Sequence, residues 1–259
     1  MKSANAKQEN TVDNNQLDTV DLVAQGKGGV GKSVLAALTA QYYQHKGKEF
    51  IAIDTDPVNS TFLGYKAFPV KRVELMKDDN KINTREFDPM MVDILSIQKS
   101  FVIDNGSSSF IPLANYLVEN AAIEMIIESG KQVNIHTVIT GGQAMLDTLS
   151  GLNSLCQQMP KEAKIIVWLN EFWGPIESDG KTFEQMKVYL NNKERISGIV
   201  TLHKQSSDTF GKDMELMLEK RLTFAEAINS ENFNIMQKQR LKMMQRNIFE
   251  QLDTVLMGA

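Results

Sequence analysis

The 259-residue chain has one cysteine, Cys156, so it cannot form an internal disulfide. Its three histidines are scattered, and no Cys/His spacing suggests a structural zinc site. No apolar stretch approaches the roughly 20 residues needed to cross a bilayer. The N-terminal segment, polar through about Asp18, lacks the apolar core of a secretory signal. Such a segment cannot offset its ordering entropy by burial, so residues 1–18 are expected to be a disordered tail. Together these absences point to a reducing cytoplasm. A strongly basic surface is also missing: 28 Lys+Arg stand against 32 Asp+Glu, a net charge of -4, so any DNA contact has to be regional.

What is present is an alternation. Short apolar runs at residues 20–24, 50–54, 101–104, 133–140, 164–169 and 198–202 read as strands. Helical patterns begin at residue 34 and recur over 89–97, 111–128, 142–159 and 183–191, and helix formers dominate beyond residue 206. This order predicts an α/β fold: a mainly parallel sheet with helices on both faces and a helical C-terminal region. No internal repeat or composition break divides residues 19–259, which are expected to form one domain.

Between the first strand and the first helix stands Gly26-Lys27-Gly28-Gly29-Val30-Gly31-Lys32-Ser33, the strand, loop and helix setting of a phosphate-binding P-loop. Glycines permit backbone angles that turn consecutive N–H groups inward onto phosphate oxygens. The following helix, entered through Val34, adds partial positive charge at the same place. Lys32 would reach the β- and γ-phosphates, and the Ser33 hydroxyl would complete Mg²⁺ coordination. A ligand-free glycine turn would not need Lys and Ser at these positions.

Ligands of such sheets bind outside the carboxyl ends of the strands, where two acids fall. Asp54 and Asp104 each end an apolar run and should point toward the loop. Asp104, followed by the flexible-looking Asn105-Gly106-Ser107, is assigned to Mg²⁺ through water, with Asp54 as a further metal candidate. Asp56, two residues beyond the second strand, would position the attacking water or, equally well, begin an Asp-Pro turn.

A family resemblance follows from these residues. Lys27 in GKGGVGKS, the DTDP after the second strand and the Asp104-Asn105-Gly106 segment resemble the deviant Walker A ATPases that include ParA and MinD. The stretches QGKGGVGKS, IDTDPVNSTFLGYKA, IDNGSSSFIPL, HTVITGGQAMLDT and VWLNEFWGPIE, with FEQMKVY and RLTFAEA beyond, are similar to the TraL nucleotide-binding proteins of conjugative plasmids over residues 20–252. The resemblance implies ATP and Mg²⁺ as ligands and a homodimer formed with ATP bound. Lys27 would cross its interface to the partner's nucleotide. Lys27, Lys32 and Asp56 would then be the catalytic set, and Asp104 the switch acid near Mg²⁺. It further implies slow, partner-modulated hydrolysis in the service of conjugative DNA transfer, with relaxosome or secretion-channel proteins as partners. The Asp-Asn-Gly-Ser switch departs from the proline- or glycine-rich forms more usual in ParA and MinD, so hydrolysis rate does not carry over.

Asn170 ends a strand and resembles the family's adenine-contacting residue; a turn-starting asparagine explains it as well. Trp168 reads as core, while Trp173, on a Gly-Pro loop, fits either a partner contact or packing against the domain. Leu241, Met244, Ile248, Leu252 and Val255 recur at helical spacing beside basic residues. That stripe is expected to dock on the core rather than on a membrane or DNA. Two other classes remain open on sequence: a nucleotide-dependent adaptor without appreciable turnover, and a P-loop small-molecule transferase or ligase, for which no substrate motif is seen.

Overall fold

The run TVDLV is buried at every position because the strand it forms lies in the middle of a sheet covered on both faces. The structure, a computed structural model, describes residues 17–76 and 81–258. Residues 1–16 of the expected tail lie outside the described residues.

In chain order, β1 (Thr19–Val23) leads through the glycine loop into α1 (Lys32–His45), followed by β2 (Phe50–Asp54), β3 (Val70–Arg72), α2 (Asp88–Ser96) and β4 (Ser100–Asp104). Two helices, α3 (Phe110–Glu119) and α4 (Ala122–Glu128), precede β5 (Gln132–Thr140), α5 (Met145–Gln158) and β6 (Lys164–Asn170). A small hairpin, β7 (Glu177–Ser178) with β8 (Lys181–Thr182), leads to α6 (Lys187–Asn192) and β9 (Ile196–Leu202). The chain closes with α7 (Phe210–Glu219), α8 (Phe224–Asn229) and α9 (Ile235–Leu252).

Among the described residues seven strands form one sheet in the order β3-β2-β4-β1-β5-β6-β9, every pair parallel. Alternate side chains feed two cores. Phe101 and Ile103 of β4 join Ile94, Leu113, Ile123 and Leu152 on one face, while Val102 joins Leu35, Tyr42, Phe224 and Leu241 on the other. The parallel order brings the carboxyl ends of β1, β2, β4, β5 and β6 to one edge.

The helix expected over residues 111–128 is two helices, bent by 63° between α3 and α4. Ala121 takes a left-handed φ of 47° at the break, which lets Leu113 and Leu117 on one side and Ile123 and Ile126 on the other reach the same core. The helix expected over 183–191 starts only at Lys187, after a 3₁₀ turn at Phe183–Gln185. Likewise α5 starts at Met145, after a 3₁₀ turn at Gly142–Ala144. Three short strands were not anticipated, because β3, β7 and β8 are too brief for alternation to register. The apolar stripe lies against the core: Leu241, Ile248 and Leu252 of α9 are buried, Met244 packs beside them, and so does Val255 in the π-helical turn Asp253–Met257 that follows. Asp213 of α7 binds Arg240 Nε at 2.5 Å and Gln237 Nε2 at 3.0 Å, tying α7 to α9. Among the described residues no single helix is long and apolar enough to cross a membrane.

Candidate functional site

The glycine loop takes the backbone its composition allows. Gly29 and Gly31 adopt φ of 74° and 103°, a left-handed region costly for other residues, and the Gly31 carbonyl accepts the Val34 and Leu35 amides as α1 begins. A side chain at Gly31 would come within 3.0 Å of the Asn170 amide nitrogen, and one at Gly26 within 3.2 Å of the Phe110 ring. Gly28 faces the Ser107 hydroxyl. Buried Gln25 anchors the start of the loop, donating to the Val138 and Thr148 carbonyls.

Lys32 is buried, and its ammonium donates to the Lys27 carbonyl at 2.8 Å. Burial lowers its pKa, while the charges of Asp104 and Asp56 oppose that shift. These three groups therefore converge at the mouth of the loop. Both carboxylate oxygens of Asp104 are buried without a hydrogen-bond partner. Its pKa is pushed up to about 7, chiefly by burial and further by the charges of Asp54 and Asp56, against the pull of Ser33 and Lys32. Ser33 thus lies close enough to act on Asp104 without reaching it in good hydrogen-bond geometry. Buried oxygens of this kind call for a partner, and a hard cation is one such partner. No group of three or more His, Cys, Asp or Glu among the described residues could hold a metal by itself. A carboxylate and a hydroxyl are the sparse set that Mg²⁺ accepts when phosphates and water fill its remaining positions. The residues present fit that ion.

Asp54 does something else. Its Oδ1 accepts the Asp56 amide at 2.9 Å and its Oδ2 the Leu63 amide at 3.0 Å, so it organises the loop after β2 instead of offering a free ligand. Burial raises its pKa and these two amides lower it. Asp56 accepts the Val58 and Asn59 amides at Oδ1 and abuts Gly106, where a side chain would come within 2.7 Å of its Cγ. The segment after β4, expected to be flexible, is tied down at its start. Asn105 is buried, and its Oδ1 lies 2.9 Å from the Thr55 hydroxyl and 2.7 Å from that of Ser109.

Lys27 stands at the rim, with its ammonium 2.7 Å from Asp147 in the first turn of α5. No local pattern in the sequence marks Asp147 as its partner. Asn170 braces two loops: Nδ2 donates to the Val30 carbonyl at 3.0 Å, and Oδ1 accepts the Phe172 amide at 3.2 Å. Beyond it Trp173 is exposed together with Phe172, whereas Trp168 is fully buried. A cavity of about 760 Å³ opens beside the loop, walled by Gly29, Gly31, Val34 and Asn170 and continuing between α7 and α9. The sequence did not reveal this cavity, because its far wall comes from the segment after β9 and from two helices distant in the chain.

A parallel α/β sheet with a glycine loop at the head of its first helix, and acids at the ends of β2 and β4, defines a P-loop nucleotide-binding domain. Residues 22–229 match the CobQ/CobB/MinD/ParA nucleotide binding domain family, CbiA, and the chain belongs to that family. Within it, two proteins named Protein TraL, both from Escherichia coli, are 51% and 47% identical to this chain over 234 residues, covering 90% of it and 97% of each relative. The TraL likeness read from the motifs thus extends along nearly the whole chain. Among solved structures, the MinD cell division protein of Aquifex aeolicus is similar with a TM-score of 0.49 and 15% identity, over 90% of this chain and 97% of that one.

Proposed function

We propose that this protein is a Mg-ATP-dependent switch: it binds ATP at the glycine loop, dimerises in that state, hydrolyses the nucleotide slowly and serves conjugative DNA transfer. The observation that carries the nucleotide reading is the pair of unpartnered, buried Asp104 oxygens beside Ser33 and Lys32. Bound Mg²⁺ would supply charge neutralisation for the phosphates. Lys32 offers a positive charge to the β- and γ-phosphates, and the glycine-loop amides offer donors. Asp56 holds the attacking water in line, so that its oxygen bonds to the γ-phosphorus as the bond to the β–γ bridging oxygen breaks, giving ADP and phosphate. Around this site Val58, Ile111 and Leu146 follow β2, β4 and β5 and are 66%, 67% and 74% exposed. An apolar rim of this kind suits a second copy of the chain. The conjugative setting, with relaxosome or secretion-channel proteins as partners, rests on the TraL likeness.

Phosphate release from Mg-ATP tests the chemistry. Lys32→Ala should abolish nucleotide binding, and Asp56→Ala should slow turnover by about a hundredfold while leaving binding intact, the scale expected for a mispositioned water. One observation favours a second reading, an adaptor that binds nucleotide without turnover: Asp56 Oδ1 is already engaged by two amides of its own turn. Negligible phosphate release by the wild type, unaltered by Asp56→Ala, would select the adaptor.

A further inference from the structure

The cavity beside the loop has more apolar wall than phosphates require. Phe172 and Trp173 line it together with Gly29, Gly31 and Asn170, so one cavity runs from the glycine loop to these rings. We propose that Phe172 and Trp173 form the platform on which the base of the bound nucleotide stacks, so that the site takes a purine by its face. This rests on the nucleotide reading above and adds to it where the base lies and how it is read.

Three features carry the assignment. The rings are 64% and 57% exposed, unusual for aromatics that serve a core. They meet edge to face at 90° with centroids 4.9 Å apart, leaving a ring face available while one ring supports the other. The turn that carries them is fixed: Asn170 Oδ1 accepts the Phe172 amide, and the Gly174 amide donates to the Glu171 carbonyl at 3.0 Å. Gly142 also packs on the Trp173 carbonyl, where a side chain would come within 3.3 Å. A platform held in place before the ligand arrives loses little entropy on binding.

Several polar groups that could read a base edge are engaged elsewhere. Asn170 spans the Val30 carbonyl and the Phe172 amide. His203 Nδ1 lies 3.3 Å from Glu171, and Gln205 Nε2 donates to the His203 carbonyl. The backbone N–H and C=O of Thr201 are both held by the Gln251 side chain. With Asn170 and the Thr201 backbone held in this way, recognition falls first on the π-face, which adenine and guanine share.

The test is equilibrium binding of labelled ATP and GTP, with Mg²⁺, to the full chain as wild type, Trp173→Phe, Trp173→Leu and the double variant Phe172→Leu/Trp173→Leu. Unlabelled tripolyphosphate serves as a competitor that reports the phosphate cradle alone. Wild type and Trp173→Phe should bind both nucleotides with similar affinity. The double variant should lose about tenfold or more for both, the scale of one base–aromatic stack, with its tripolyphosphate affinity unchanged. Wild-type affinity in the double variant overturns the platform, and a preference above about tenfold for one purine overturns recognition by the face alone; either leaves the nucleotide reading standing. A wild type that binds neither nucleotide overturns both.

Discussion

Lys27 is held by a carboxylate of its own chain, Asp147, in an ion pair open to solvent on both sides. If Lys27 serves the partner's nucleotide in the proposed dimer, it has to leave this pair first. Exposed pairs are weak, so the restraint is small. Asp147→Asn should strengthen nucleotide-dependent self-association by about two- to fivefold, read by sedimentation over a concentration series. Weaker association would mean that Asp147 helps build the interface instead. Asp104 gives a second expectation at this scale. Burial lifts its pKa to about 7, above its unfolded value of 3.8, so the protonated carboxyl stabilises the fold at acid pH. That contribution is lost as pH rises from about 4 through about 7. Without nucleotide or divalent cation, Asp104→Asn should therefore exceed the wild type in stability by roughly 2–4 kcal/mol at pH 8 and converge with it near pH 4, measured by urea unfolding. The loop lysines, Ser33 and Asp104 were legible because motif spacing and strand ends are local properties. The engagement of Asp54 by two amides and the pairing of Lys27 with Asp147 were not, since both depend on where a loop and a remote helix come to rest.

Across strands, a polar chain runs through the sheet. Asp21 of β1 accepts His136 Nε2 and Asn134 Nδ2 of β5 at Oδ1, and the Tyr43 and Thr19 hydroxyls at Oδ2. Trp168 of β6 in turn donates its indole N–H to His136 Nδ1 at 2.9 Å. Burial pushes the Asp21 pKa up, but the hydrogen bonds from His136 and from the Tyr43 and Thr19 hydroxyls hold it below the ordinary value. His136→Ala should cost about 3–5 kcal/mol in urea unfolding, because it strips a buried carboxylate of a donor and leaves the indole N–H unpaired. A loss under about 1 kcal/mol would show that the chain contributes little. This network was hidden in the sequence: Asp21 interrupts an apolar strand, and nothing local says that a histidine 115 residues away will face it. The strands themselves were readable, since burial on both faces leaves unbroken apolar runs. The break between α3 and α4 was not, because it uses Ala121 where a glycine or proline would have announced a turn.

For the whole molecule, the alternation of apolar runs and helical patterns was enough to predict the parallel sheet and its helical tail. Light scattering on wild type and Lys27→Ala, each with ADP or a nonhydrolysable ATP analogue, should show a mass near twice the monomer only for wild type with the analogue. A wild type that stays monomeric there removes the ATP-driven dimer. The central position of β1 carries a consequence for biosynthesis. Val20 pairs with Phe101 on one side and Val133 on the other, so β1 leaves the ribosome well before either of its neighbours and has no lasting partner until they follow. At typical synthesis rates of about 5–20 residues per second that wait is on the order of ten seconds. The apolar run before the phosphate loop must meanwhile stay shielded from other nascent chains, so the loop waits for β4 and β5 before it takes its working shape.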